Sequence, residues 1–271
     1  MNKAKESANL ISDNDIVTSY QCGDYTEIIC SKHKASSIDI KRLNKTQYVD
    51  KHTGCIREYQ FSGNKTFKNF KKEFKNIPRY IKGYFCGDES ERLITLTYSS
   101  NMNNPYQLST DFKNFILKLE RRCGKCRYLY IKEPQDNGSW HIHAIVKSME
   151  SLKFPISDEK ISLLWKLGDF VNVQQIYNID TLPYYFDITR YADKKRRIRY
   201  YPAYLHIFGH SEDMKLETSR GIYETLIPES SDMIYEAEKR NDSYDTETGA
   251  ITGYFTNIYQ QFLKRKDDKN E

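Results

Sequence analysis

The sequence predicts an α+β fold in which helices pack on a central antiparallel sheet of about five strands. Short runs rich in β-branched and aromatic residues alternate with segments of helical periodicity between about residues 90 and 210. The dipeptide Asn137-Gly138 separates two of these runs and favours a tight hairpin, whose strands are antiparallel. A chain of 271 residues is also long enough to bury a sizeable core.

The core elements are predicted in the order βαββαβαβ. A strand at 93–98 precedes a helix that begins near Asp111 and closes at Gly124, a residue suited to a helix C-cap. The hairpin strands follow at 127–133 and 140–146. The remaining elements are a helix at 157–167, a strand at 170–177, a helix at 181–195 and a strand at 201–208.

The pattern divides the chain into three parts. Residues 61–210 are predicted to form the main domain, with its core at 90–210 and a basic helix at its entry. Residues 1–60 are an N-terminal extension whose pattern assigns no clear structure. Residues 211–271 turn acidic and are predicted to form a helical C-terminal extension. Its helices are expected at 231–239 and 255–264.

The entry helix, predicted at 66–80, is amphipathic. Phe67, Phe70 and Phe74 recur at helical spacing, lysines occupy most of the positions between them, and Pro78 is expected to end the helix. A lysine-rich face is more often a solvated surface than a DNA contact, so we favour the solvated reading.

Composition permits a nucleic-acid partner without requiring one. The net charge is +5, and 22 tyrosines supply rings that can stack on bases. No apolar run approaches the roughly 20 residues of a membrane span, and the first fifteen residues lack the apolar core of a signal peptide. The expectation is a cytoplasmic protein without a membrane partner, whose six cysteines are mostly reduced.

The histidine pair is the clearest chemical signal. His141 and His143 flank one aliphatic residue in a predicted strand, so both project from one face about 7 Å apart and can share a cation. Glu133, at the end of the partner strand, is the candidate third ligand because a hairpin brings its arms within about 5 Å. The alternative for Glu133 is an ordinary exposed turn carboxylate.

The helix predicted at 181–195 presents two faces. One carries Tyr185 and is assigned to the core. The other presents Tyr191 with Lys194 one turn later, and Tyr184, seven residues before Tyr191, falls within about 20° of the same side.

A basic and tyrosine-rich segment overlaps the end of this helix. Cations that follow phosphates and rings that stack on bases suit single-stranded nucleic acid, although such runs are often only solvated. The candidate DNA contacts are Arg190, Lys195, Arg196, Arg197 and Arg199.

Three motifs in order resemble those of HUH endonucleases, most closely the rolling-circle replication initiators of bacterial plasmids and phages. The strand at 93–98 resembles motif I, His141-Ile142-His143 the HUH motif, and Tyr191-Ala192-Asp193-Lys194 the Tyr-x-x-Lys motif. The resemblance covers roughly residues 50 to 210 and implies the palm-like, ferredoxin-like sheet of that family.

The resemblance implies a nicking and joining enzyme. Tyr191 would attack a phosphodiester at an origin, become linked to the 5′ phosphate and free a 3′ hydroxyl that primes synthesis. Mg²⁺ or Mn²⁺ on the histidines would polarise the phosphate, and Lys194 would stabilise developing negative charge. The implied partners are single-stranded origin DNA, a host polymerase and, since no Walker A sequence is present, a host helicase.

One departure and several alternatives belong to this interpretation. Family members with two tyrosines carry them about one turn apart, but Asp187 stands four residues before Tyr191. We therefore expect a single-tyrosine enzyme, with Tyr184 as a possible second nucleophile. A mobilisation relaxase or a transposase would share the chemistry, whereas a non-catalytic DNA-binding regulator or a structural metal site would not use it.

Overall fold

In the computed structural model, the described residues are 16–32, 40–44, 46–58, 63–65, 67–168, 170–187, 197–228, 231–244 and 251–265. One compact unit spans Ser62–Leu216, and the other combines Met1–Phe61 with Glu217–Glu271. No helix in the described part of the chain is long and apolar enough to cross a bilayer.

Strands and helices alternate along much of the described chain. The strands are β1 (Ile16–Cys22), β2 (Tyr25–Lys32), β3 (Ile40–Arg42), β4 (Gln47–Asp50), β5 (Ile56–Glu58), β6 (Glu91–Leu96), β7 (Cys126–Pro134), β8 (Trp140–Ser148), β9 (Val171–Gln175), β10 (Phe208–His210), β11 (Glu217–Gly221), β12 (Ser231–Tyr244) and β13 (Ile251–Arg265). The helices are α1 (Phe67–Phe74), α2 (Asn76–Tyr84), α3 (Gln107–Cys123), α4 (Asp158–Ser162), α5 (Leu182–Phe186) and α6 (Tyr223–Leu226). Short 3-10 turns lie at Ile179–Thr181 and Arg197–Tyr200.

The predicted antiparallel sheet is confirmed. Its five strands run in the order β10-β7-β8-β6-β9, and every neighbouring pair is antiparallel. The hairpin of β7 and β8 is closed by a turn in which Gly138 has a φ of 83°, a conformation that glycine adopts without steric cost. The central position of β7 and β8 buries both of their faces over most of their length.

Helix α3 packs on the sheet face that lies away from the histidines. The ring of Phe112 stacks on Tyr130 of β7 at 4.3 Å between centroids, and Tyr130 is three residues, hence one face change, before Glu133. The helix ends as predicted at Gly124, where φ is 75°, but it begins at Gln107, one turn earlier than the sequence indicates. This packing holds β7 rigidly from behind.

The entry helix is two helices. Helix α1 ends at Phe74, and α2 begins at Asn76 and continues to Tyr84, so Pro78 does not end a helix. Pro78 lies in the first turn of α2, where a backbone N–H has no intrahelical acceptor and its loss costs little. The side chain of Phe70 is buried while those of Lys71 and Lys72 are exposed, as expected for a solvated cationic face.

The strand predicted at 201–208 is wrong for most of its length, since only Phe208–His210 is a strand. Tyr201 is fully buried, with its ring edge-on to Phe70 and Trp140 and its hydroxyl donating to the Lys132 carbonyl at 2.6 Å. Its apolar character therefore reflects packing of a turn under the sheet edge. Pro202, which lacks a backbone donor, is unsuited to a ladder that would run through it.

The predicted C-terminal helices are also wrong. Residues 231–239 and 255–264 lie in β12 and β13, an antiparallel hairpin. Strand β13 also pairs with β2, so its backbone bonds on both sides, and these bonds outweigh the helix preference of its Gln and Lys residues. Strand β12 forms the edge of the sheet, where charged residues protect against further pairing. The hydrophobic core of this unit consists of Val17, Ile28, Cys30, Tyr223 and Leu263.

Lys132 is a buried base whose charge costs stability. It is only 4% exposed, and removal from water lowers its pKa from 10.5 to about 8, although Glu73 partly favours the charged form. Both folded and unfolded chains are protonated below pH 8, so the full cost applies there. Between pH 8 and 10.5 the unfolded chain binds more protons, so the cost is relieved as pH rises.

Replacing Lys132 with Met should therefore raise the free energy of unfolding at pH 7 by about 1–3 kcal/mol. The gain should shrink as pH rises from 8 to 10.5, measured by denaturant unfolding of both proteins across this range. The exposed Lys118 serves as the control, since Lys118→Met should show no comparable pH-dependent gain. An equal gain from Lys132→Met at pH 7 and pH 10 would contradict a charge-based cost.

Candidate metal centre and catalytic site

Strand register brings the three predicted metal ligands to one face of the sheet. Glu133 of β7 lies directly opposite His141 of β8. His143 lies opposite Ile131 on one side and Thr95 of β6 on the other. Because residues two apart on a strand share a face, His141, His143 and Glu133 project together. The predicted cross-hairpin position of Glu133 therefore occurs in the structure.

The ligand atoms of these side chains converge. The two Nε2 atoms of His141 and His143 are 2.8 Å apart, and His143 Nε2 is 3.3 Å from Glu133 Oε2. All three groups offer atoms within 4.8 Å of one another. Adjacent ligands of an octahedral ion with bonds of about 2.1 Å are about 3.0 Å apart, so the spacing fits one small divalent cation. Two imidazoles and a carboxylate are a suitable donor set for Mn²⁺, Zn²⁺ or Mg²⁺.

Glu133 is not the exposed turn carboxylate of the alternative reading, since it is only 3% exposed. Its Oε1 accepts a hydrogen bond from Arg197 Nη1 at 2.9 Å, which leaves Oε2 directed at His143. Arg197 also forms a two-pronged ion pair with Asp136, with Nε–Oδ1 at 2.7 Å and Nη2–Oδ2 at 3.1 Å. This ion pair raises the pKa of Arg197 and lowers that of Asp136.

Arg197 therefore holds Glu133 in place, whereas the sequence suggested only a DNA contact for it. Arg199 is different, because its side chain is exposed. Its Nη2 donates to the Tyr200 hydroxyl at 3.0 Å, and its guanidinium carbon lies 5.0 Å from the centre of the Tyr200 ring. Tyr204 nearby is also exposed. An exposed arginine beside exposed rings is suited to single-stranded nucleic acid.

The predicted nucleophile and most of the basic segment lie outside the described residues. These positions are Tyr191, Lys194, Arg190, Lys195 and Arg196.

The continuous helix predicted at 181–195 is wrong. Helix α5 ends at Phe186, and Asp187 has an extended backbone with a ψ of 91°. The helical-face argument that joined Tyr184 to Tyr191 needs helical backbone through Asp187, so it no longer applies. Pro183 lies in the first turn of α5, as expected, and Tyr184 is exposed.

Tyr185 lies beside the metal ligands, which the sequence did not reveal. It was assigned to the core, but it is 46% exposed, and its ring meets the His143 ring edge-on with centroids 5.4 Å apart. Its phenol is hydrogen-bonded to the Thr95 side chain. Burial raises the pKa of Tyr185, while the Thr95 hydrogen bond opposes this rise. Helical periodicity gave the correct side of α5 but not the group that it faces.

A second group with ligand-like spacing comprises Cys86, Asp88 and Glu91. The ammonium of Lys147 lies 2.9 Å from Glu91 Oε1 and 3.2 Å from Asp88 Oδ2, so these carboxylates already hold a cation. Burial raises the pKa of Cys86 to about 11, which disfavours the thiolate that a metal would need. We interpret this group as an ion-pair cluster.

Comparison with known proteins gave one match. Residues 91–196 match the family model of the replication-associated protein ORF2. The matched segment begins at the first residue of β6 and includes Glu133, His141 and His143. No curated protein and no solved structure matches the chain. The family match supports a replication-associated protein of the initiator type.

Proposed function

We propose that this protein initiates rolling-circle replication by nicking one DNA strand at an origin through metal-dependent tyrosine transesterification. The observation that carries the proposal is the buried convergence of His141, His143 and Glu133 inside the segment that matches a replication-associated family. A regulator that only binds DNA has no need of three buried groups at metal-ligand spacing.

In this proposal, His141 Nε2, His143 Nε2 and Glu133 Oε2 hold Mg²⁺ or Mn²⁺. The bound ion would polarise the scissile phosphate and offset its charge. The chain's own contribution is orientation, because Arg197 fixes one oxygen of Glu133 and directs the other to the ligand cluster. Burial of the three ligands limits competition from water.

The proposed nucleophile is Tyr191. Its phenol oxygen attacks the phosphorus, the bond to the 3′ oxygen breaks, and that oxygen leaves with a proton as a 3′ hydroxyl. Lys194 stabilises the phenolate or the charge on the phosphoryl oxygens. The 5′ phosphotyrosyl bond conserves the phosphodiester energy, so a later 3′ hydroxyl can attack it and rejoin the strand. Tyr184 stays a candidate second nucleophile, as an exposed tyrosine of the same segment.

The proposed partners follow from the chemistry. Single-stranded origin DNA is the substrate, and a host helicase and polymerase would unwind the duplex and extend the 3′ hydroxyl. The exposed Arg199 and the neighbouring Tyr200 ring are the described groups best suited to contact the strand.

The test is a cleavage assay with a pool of randomised single-stranded oligonucleotides labelled at the 3′ end. Protein with Mn²⁺ should retain a labelled fraction through denaturing electrophoresis, and sequencing of that fraction should show a preferred site. EDTA should suppress the product, and Mg²⁺ or Mn²⁺ added after chelation should restore it. Equal cleavage in the presence of the chelator would exclude the metal-dependent mechanism.

The two described arginines should separate metal binding from DNA binding. Arg197→Ala should weaken Mn²⁺ binding about tenfold, because Glu133 loses the group that orients it, with little effect on DNA affinity. Arg199→Ala should weaken binding of a single-stranded oligonucleotide and reduce the salt slope by about 0.7, with no effect on Mn²⁺. Calorimetry with Mn²⁺ and fluorescence titrations at several salt concentrations measure both. The same loss of DNA affinity in both variants would contradict the assignment of Arg197.

A further inference from the structure

Thr95 lies behind the metal-facing side of His143. Strand register places Thr95 of β6 directly opposite His143 of β8, and its Oγ1 is 2.9 Å from His143 Nδ1. The other ring nitrogen, Nε2, faces His141 and Glu133. The imidazole is thus held by its far nitrogen while its near nitrogen points at the candidate metal centre.

Tyr185 completes this arrangement from a separate element. Its ring lies edge-on to His143, and its phenol is hydrogen-bonded to the Thr95 side chain. The phenol therefore reaches the Nδ1 side of the histidine, away from the nitrogen that faces Glu133. A tyrosine bonded on that side is placed to orient the ring of His143 and is poorly placed to attack a phosphate at the metal centre.

The hydrogens can be counted along this chain of groups. A histidine that binds a cation through Nε2 carries its hydrogen on Nδ1 and must donate it. Thr95 Oγ1, at 2.9 Å, is the acceptor, so its own hydrogen needs another acceptor. The phenol oxygen of Tyr185 supplies one, and the half-exposed phenol can direct its own hydrogen to water.

We propose that Thr95 and Tyr185 are positioning residues that act in series to hold His143 in the orientation and tautomer required to bind a divalent cation. This inference rests on the proposed function, because it takes the His141, His143 and Glu133 cluster to be a metal site. It assigns Tyr185 a role through His143 rather than as a nucleophile. Partners of this kind fix ligand tautomers at metal sites and typically change affinity by about 10- to 100-fold.

The experiment measures Mn²⁺ affinity of the full chain without DNA, by calorimetry or by the EPR signal of free Mn²⁺. Thr95→Val, which keeps the shape but removes the hydroxyl, should bind about tenfold more weakly, and Thr95→Ser should return to within about twofold of wild type. Tyr185→Phe should bind about threefold more weakly. Tyr177→Phe is the matched control, since Tyr177 is 89% exposed, and it should bind as wild type does.

The double variant separates action in series from independent packing effects. If Tyr185 acts through the Thr95 hydroxyl, Tyr185→Phe should cause no further loss in the Thr95→Val background. Additive losses, wild-type affinity in Thr95→Val, or failure of Thr95→Ser to restore binding would each overturn the proposal. Thermal unfolding of every variant identifies any that do not fold, and Tyr185→Phe tests the proposal without altering the sheet.

His141→Ala distinguishes this proposal from the proposed function. If His141→Ala binds Mn²⁺ as tightly as wild type, the metal site itself is refuted. If His141→Ala loses binding but Thr95→Val and Tyr185→Phe do not, the metal site stands and the positioning role fails. If the expected pattern of affinities appears in a protein that does not cleave DNA, the positioning role stands and the nicking function fails.

Discussion

Tyr191→Phe is expected to abolish both nicking and the covalent protein–DNA adduct while DNA affinity stays within about twofold of wild type. The substitution removes only the phenol oxygen that would form the phosphotyrosyl bond, so the loss should be on the order of 10⁴-fold or more. Lysine and arginine contacts with phosphates are unaffected, which is why binding should survive. The measurement is cleavage and adduct formation with a labelled single-stranded oligonucleotide, alongside a binding titration.

Two controls make that result specific. Tyr177→Phe removes the same atom from an exposed tyrosine and should leave nicking unchanged. Wild-type cleavage by Tyr191→Phe would mean that Tyr191 is not the nucleophile. Loss of DNA binding together with cleavage would mean that the substitution disturbs the binding surface, and the nucleophile would then have to be identified by another route.

His141→Ala and His143→Ala are expected to reduce cleavage on the order of 10³-fold. Each removes one of three converging ligands, and loss of several kcal/mol of phosphate polarisation corresponds to about this factor. Mn²⁺ affinity should fall in parallel, measured by calorimetry on the same preparations. His206→Ala is the matched control, because His206 is an exposed histidine of the same unit. Normal cleavage by His141→Ala with intact Mn²⁺ binding would remove the metal centre from the account.

Local pattern was sufficient for the part of the site that lies within one hairpin. The alternation in β7 and β8 and the Asn137-Gly138 turn together imply the register that puts Glu133 opposite His141. The same reasoning predicted α3 and its glycine C-cap, because capping and periodicity are properties of neighbouring residues.

Contacts between distant segments could not be predicted in this way. Thr95 and Tyr185 reach His143 from β6 and α5, and no local pattern specifies which strand neighbours β8. Arg197 was interpreted from charge alone, whereas its role depends on Asp136 and Glu133, more than sixty residues earlier. Helical propensity failed at β12 and β13 because pairing with other strands overrides it.

The most direct test of the central claim is to locate the covalent bond. Wild-type protein with Mn²⁺ and a cleavable single-stranded oligonucleotide should gain the mass of the 3′ fragment of the DNA, joined through its 5′ phosphate. After nuclease and protease digestion, the account predicts a phosphotyrosyl nucleotide on the peptide that contains Tyr191. Cleavage without any covalent adduct, or an adduct confined to another residue, would contradict it.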